Sequence, residues 1–120
     1  MVVEDDPFTF EVLSEVLTFF GAKIILAASV AEALVALKTS KPDVMVSDIA
    51  MPGEDGYSLM RKVRQLGSDQ GGDVPSIALT AYASDGNIKS ALAAGFNAHI
   101  AKPLNMYQLG KAIAKLAKPS

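Results

Sequence analysis

Short apolar runs and segments of helical periodicity alternate from one end of the chain to the other. Val2-Val3 runs into Glu4-Asp5-Asp6. Asp6-Pro7 suits the cap and first position of a helix, where proline's missing N–H costs nothing. From there to Phe20, helical spacing places Val12, Leu13, Val16, Leu17 and Phe20 on one face, and Gly21 provides a left-handed end. Lys23-Ile24-Ile25-Leu26 reads as a second strand. Ser29-x-x-Glu32 is a capping box that opens a second helix to about Thr39, which Lys41-Pro42 breaks. Asp43 to Asp48 is a third strand, apolar enough to be buried on both faces. Residues 51–56 form a loop rich in Pro and Gly, Tyr57 to Leu66 a third helix, and 67–73 a flexible surface loop. Pro75 to Thr80 is a fourth strand. Ser84-Asp85 starts an Ala-rich helix closed by Gly95, and Ala98 to Ala101 is a fifth strand. Asn105-x-x-Gln108 leads a last helix to Lys118.

These are β/α units in strict alternation. The order predicts an α/β fold, a doubly wound five-stranded parallel sheet with helices on both faces and right-handed crossovers. Parallel strands share one C-terminal edge, where open α/β sheets bind their ligands. At that edge the apolar runs end in Glu4-Asp5-Asp6, Asp48, Thr80 and Lys102-Pro103. Carboxylates, a hydroxyl and an ammonium therefore converge from distant parts of the sequence.

Composition narrows the classes. The 120 residues suit one domain spanning 1–120, with 50% apolar and 20% charged residues, which is a globular balance. A net charge of -2 argues against direct nucleic-acid binding. The densest basic cluster, Arg61, Lys62 and Arg64, reads as the solvated face of a helix. The absence of Cys excludes disulfides, thiolate metal sites and thiol nucleophiles. No run approaches the ~20 apolar residues of a membrane span and no signal peptide is visible, so a cytoplasmic location is expected. The first strand looks clipped, which suggests a domain excised from a larger protein.

Carboxylates crowded at one strand edge repel one another and need a counter-charge. A hard divalent cation such as Mg²⁺ supplies it, preferring a few carboxylates with water and phosphate oxygen. Asp5 and Asp48 would be direct ligands, and Glu4 would reach the ion directly or through water. The plainer alternative is that Glu4-Asp5-Asp6 is only a polar turn and helix cap. A carboxylate beside Mg²⁺ can attack phosphorus to give an aspartyl phosphate. Thr80 and Lys102 would supply a hydroxyl and an ammonium to the phosphoryl oxygens.

As a set, Val2-Val3-Glu4-Asp5-Asp6-Pro7, Ser47-Asp48-Ile49-Ala50-Met51-Pro52, Ala78-Leu79-Thr80-Ala81 and Ala101-Lys102-Pro103 resemble the receiver domains of two-component response regulators. The resemblance covers essentially the whole chain. It implies the CheY-like, flavodoxin-like strand order 2-1-3-4-5, with Asp48 as phosphoacceptor and Glu4 and Asp5 as the acidic pair. Mg²⁺ would be held by Asp5 and Asp48 with the backbone carbonyl of Ala50. Thr80 matches the switch hydroxyl, Lys102 the family's lysine, and Gly56 the glycine opening the third helix. The peptide bond before Pro103 matches one that is cis in the family. The implied phosphodonor is a histidine kinase or a histidine phosphotransfer domain. The implied output surface is the fourth helix, fifth strand and fifth helix, with homodimerisation open.

The chain departs from the family's commonest pattern at several places. His99 stands where Tyr or Phe is usual. It either rotates inward when Thr80 moves, titrating near neutral pH, or is a partly exposed strand residue that changes little. Ala50 cannot position an attacking water, and Tyr82 is bulky enough to shield a phosphoryl group, so a slowly hydrolysed phosphoform is expected. Phe8, Phe10 and Phe19 lie outside the core face of the first helix. They are expected as shoulders of the core, the alternative being a docking surface for the phosphodonor. Three competing functions fit less well. A phosphatase using an aspartyl phosphate would carry a second Asp at position 50. A flavodoxin-like cofactor binder would not place acids after its first strand. A pseudo-receiver used only for protein contacts would not need the intact acceptor, acids, Thr and Lys.

Overall fold

The computed structural model describes residues 1–19, 21, 23–50, 55–80, 85–102 and 105–116, with the side chains of Asp85 and Met106 left aside. In chain order the elements are β1 (Val2–Val3), α1 (Pro7–Phe19), β2 (Leu26–Ala27), α2 (Val30–Ser40), β3 (Met45–Asp48), α3 (Gly56–Arg64), a 3-10 turn (Ser68–Gln70), β4 (Ser76–Thr80), α4 (Asp85–Ala94), β5 (Ala98–Ala101) and α5 (Met106–Leu116). All strand pairs are parallel, in the order β2-β1-β3-β4-β5. The predicted doubly wound sheet is the observed one.

Strand periodicity divides the core. Val3, Met45 and Ala78 pack with residues of α2, α3 and α4 on one face, including Leu37, Leu59, Met60 and Ala91. Val2, Val46, Ile77, Leu79 and Ile100 pack on the other against α1 and α5, through Leu13, Leu17 and Leu109. β3 and β4 are buried along their whole length, as central parallel strands are. β2 is shorter than expected. Its register pairs Val2 with Leu26 and Val3 with Ala27, and the Val2 and Glu4 amides reach only from Ile25 O to Ala27 O. Lys23 and Ile24 lie before that register and gain no ladder.

Helix ends follow local chemistry. Ser29 accepts the Glu32 amide at 3.2 Å, Asp55 the Ser58 amide at 2.9 Å, and Asn105 the Gln108 amide at 3.0 Å. On α1 the buried stripe is Leu13, Val16 and Leu17, while Phe20 lies outside the described residues. Phe10 packs against the core, as a shoulder should. Phe8 and Phe19 do not: they are 74% and 79% exposed, and Val12, expected in the core face, is 40% exposed. At about 100° per residue these three fall on one stripe, on the far side of the helix from Leu13 and Leu17.

The basic cluster on α3 splits the same way. Arg61 and Lys62 are exposed, but Arg64 turns inward. Its Nε donates to Gly95 O at 3.1 Å, Nη1 to Gly72 O at 2.8 Å and Val74 O at 2.9 Å, and Nη2 to Gly95 O at 2.8 Å and Asn97 Oδ1 at 3.0 Å. Asn97 Oδ1 also accepts the Ser76 amide at 2.8 Å. One guanidinium therefore ties together the end of α3, the loop after it, the start of β4 and the turn before β5. The stretch expected to be a flexible surface loop is pinned. Gly72 is required there, since a Cβ would lie 2.0 Å from Leu66 O.

Removing this fork leaves several carbonyls short of donors. Arg64→Met should cost about 2–4 kcal/mol in urea unfolding, and Arg64→Lys should recover less than half, because a point ammonium cannot reach divergent acceptors. A loss below 0.5 kcal/mol, roughly the surface-substitution range, would contradict this role.

Candidate functional site at the carboxyl edge of the sheet

Register brings the predicted residues to one place. Val3 pairs with Ser47, and one residue further along stand Glu4 and Asp48. Asp48 pairs with Leu79, which precedes Thr80, and Thr80 pairs with Ala101, which precedes Lys102. The Lys102 amide donates to Thr80 O at 2.8 Å, extending the ladder to the lysine itself.

Asp48 is 6% exposed and its two oxygens have separate partners. Oδ1 accepts the Ala50 amide at 3.2 Å, and Oδ2 pairs with Lys102 Nζ at 3.1 Å. Its backbone carbonyl accepts the Ser47 hydroxyl at 3.0 Å. Gly56 leaves room for that carbonyl, because a Cβ there would sit 2.6 Å from it. The glycine expected to open α3 is thus demanded by the strand beneath it.

The acidic run divides by role. Asp6 accepts the Thr9 hydroxyl at 2.6 Å and the Thr9 amide at 3.3 Å. It caps α1, and the Thr9 hydroxyl holds its carboxyl below the usual range. Glu4 is 2% exposed. Its Oε1 accepts the Asp6 amide at 3.1 Å, and its buried Oε2 has no hydrogen-bond partner among the described residues. Burial pushes its carboxyl up to about 7, opposed by the Asp6 amide and reinforced by Asp48. One oxygen from each of Glu4, Asp5 and Asp48 lies within 4.8 Å of the others, with Asp5 exposed at the rim. The turn-and-cap alternative therefore holds for Asp6 alone. Three carboxylates facing one ammonium, with a buried oxygen lacking a donor, fit a hard divalent cation.

Of the remaining predicted residues, Thr80 is buried at the end of β4, Ala50 is exposed in the loop after Asp48, and His99 is half-buried on β5 beside Ala78. Tyr82 and Pro103 lie outside the described residues. Ser47 was legible only as part of an apolar run. A hydroxyl at a fully buried position was the signal that it has a partner.

Glu4 holds its proton more tightly folded than unfolded in the metal-free protein. The folded state then binds more protons between the ordinary value of 4.5 and the shifted value of about 7, so stability falls as pH rises through that window. Thermal midpoints of the metal-free domain should decline across it, and Glu4→Gln should flatten the decline. Parallel profiles for both proteins would refute the assignment.

The chain matches the response regulator receiver domain family over residues 1–114. It is 41% identical to an uncharacterised 14.6 kDa protein of Leptolyngbya boryana, over 91% of this chain and 82% of that protein. It is 38% identical to hybrid signal transduction histidine kinase D of Dictyostelium discoideum, over 97% of this chain but 8% of the kinase. It spans 13% of the Pseudomonas protegens sensor histidine kinase GacS and about half (52%) of the Mycobacterium avium response regulator MprA. Among solved structures, a response regulator of Chloroflexus aurantiacus superposes with TM-score 0.90 at 31% identity, covering 98% and 95% of the two chains. The receiver domain of a Pseudomonas aeruginosa sensor histidine kinase, with magnesium in its active-site cleft, does so with TM-score 0.87 at 31% identity and the same coverage. Among the described residues no helix is long and apolar enough to cross a membrane. The site at the carboxyl edge and the match along nearly the whole length agree: the chain belongs to the receiver domains of two-component signal transduction.

Proposed function

We propose that this receiver takes a phosphoryl group from a phosphohistidine onto Asp48. The donor would be a histidine kinase or histidine phosphotransfer domain. A carboxylate oxygen of Asp48 attacks phosphorus, and the P–N bond breaks with its electron pair returning to the imidazole nitrogen. The product is an acyl phosphate on Asp48. The observation that carries this reading is the buried Asp48, paired at 3.1 Å with Lys102 and within 4.8 Å of the Glu4 and Asp5 carboxylates.

Asp5, Asp48 and the Ala50 carbonyl, with Glu4 directly or through water, would hold Mg²⁺, which when bound neutralises charge on the transferring group. Lys102 pairs with Asp48 at 3.1 Å and orients it before transfer, and is close enough to meet the phosphoryl group afterwards. Thr80, one residue past the strand position level with Asp48, offers its hydroxyl to the same group. Movement of Thr80 toward it would shift the population of α4, β5 and α5, with His99 following on β5. Leu92 on α4 and Tyr107 on α5, 50% and 71% exposed, give that surface apolar contacts for an output partner. Ala50 offers no side-chain group to orient water, which supports a slowly hydrolysed product.

For the donor, the exposed Phe8, Val12 and Phe19 stripe of α1 supports a docking role. The helix starts directly after the acidic run, so the Phe8 end of the stripe lies next to the site and Phe19 lies at the other end of the helix.

Incubation with Mg²⁺ and acetyl phosphate, followed by mass spectrometry, tests the reading. Wild type should gain one phosphoryl group and keep it for minutes or longer, whereas Asp48→Ala and chelator-treated protein should gain none. No gain in wild type would favour a pseudo-receiver. Phe19→Asp should slow transfer from a phosphorylated histidine phosphotransfer domain at least about tenfold while labelling by acetyl phosphate is unchanged. Equal slowing with both donors would return Phe19 to a structural role.

A further inference from the structure

We propose that Ser47 is a positioning residue for Asp48. The inference rests on the reading of Asp48 as phosphoacceptor and adds a residue beneath it.

Ser47 is 0% exposed in a strand whose neighbours on the same face, Val3, Met45 and Ala78, are all apolar core residues. A buried hydroxyl there is costly unless it is bonded. Its bond is to the backbone carbonyl of Asp48, at 3.0 Å. That carbonyl needs a donor. In a continued parallel ladder the Asp5 amide would supply it, since alternate β1 amides such as that of Glu4 face β2 and bond Ala27 O instead, but β1 ends at Val3 and no such bond is made. Among the described residues, the Ser47 hydroxyl is the donor this carbonyl has.

The same peptide unit is held at its other end, where the Ile49 amide donates to Leu79 O at 3.1 Å. Gly56 closes over the carbonyl from α3, too near to admit a Cβ. Oxygen, N–H and contact surface of the 48–49 peptide are thus all fixed. This unit carries the Asp48 side chain at one end and leads at the other to the Ala50 amide, which holds Asp48 Oδ1 at 3.2 Å. Rotation of the peptide would move the carboxylate and its donor together. Ser47 therefore sets the direction of the nucleophile without touching the reacting atoms.

Ser47→Ala, Ser47→Cys and Ser47→Thr separate the hydroxyl from the volume. The measurement is the rate of Asp48 phosphorylation at saturating Mg²⁺ and acetyl phosphate, in which an Asp48 oxygen bonds phosphorus and acetate leaves with the electrons of the broken P–O bond. Thermal midpoints are recorded alongside. Ala and Cys should each slow the reaction about tenfold, Cys matching the Ser volume with a weak donor, while Thr should stay within about twofold of wild type. Wild-type rates in folded Ala and Cys variants would overturn the inference while leaving Asp48 as acceptor. Slowing that follows the thermal midpoint across all three variants, Thr included, would overturn it as well. Absence of labelling in wild type would remove the reading of Asp48 itself. Should Ala not fold, the Cys and Thr pair decides.

Discussion

The ion pair between Asp48 and Lys102 joins residues 54 positions apart across the edge of the sheet, and the rest of the site is organised around it. Asp48 is nearly buried at the end of a strand that is apolar up to Ser47, so its carboxylate depends on partners brought by neighbouring segments. Lys102 supplies one positive charge, and the Ala50 amide supplies a dipole. Glu4 and Asp5 crowd two more carboxyl groups on the other side, more than one ammonium can balance when both are ionised, and burial accordingly pushes the Glu4 carboxyl up to about 7. The buried Glu4 oxygen without a donor is the clearest sign of that imbalance. A site left in this state favours whatever brings positive charge.

The opposite end of the sheet is built on the reverse principle. Arg64 meets carbonyl oxygens rather than carboxylates, and Asn97 completes the set by accepting from both Arg64 and the Ser76 amide. Polar groups at this end are satisfied and the loop between α3 and β4 is fixed. Polar groups at the carboxyl edge are partly unsatisfied. Strands β4 and β5 run between the two ends, so the rigid end defines the register in which Thr80 and Lys102 arrive beside Asp48. This division of a pinned edge from an edge of crowded carboxylates is what a parallel sheet permits, since all its strands point the same way.

The sequence alone made much of this legible, because the informative features were local or periodic. Alternation of apolar runs with helical spacing set the element order and the parallel sheet. Capping at Ser29 and Asn105 set helix starts. The polar endings of four runs named Glu4, Asp5, Asp48, Thr80 and Lys102, since a shared strand edge follows from topology without knowledge of packing. Ala50 and His99 were also found where the strand reading put them.

What the sequence could not decide was where a side chain turns when two environments suit it equally. Asp6 reads like Glu4 and Asp5, yet it caps α1, because Thr9 offers a hydroxyl one turn away. Arg64 reads like Arg61, yet it turns inward, because Gly72, Val74 and Gly95 present carbonyls that meet only once the loop and strands have packed. Phe8 and Phe19 read like Phe10, yet only Phe10 faces the α5 side of the core. Composition and periodicity report how apolar a position is and how often it recurs. Which acceptor, surface or empty space it meets is a property of contacts between distant segments, and the tertiary structure fixed that for Glu4, Ser47 and Arg64.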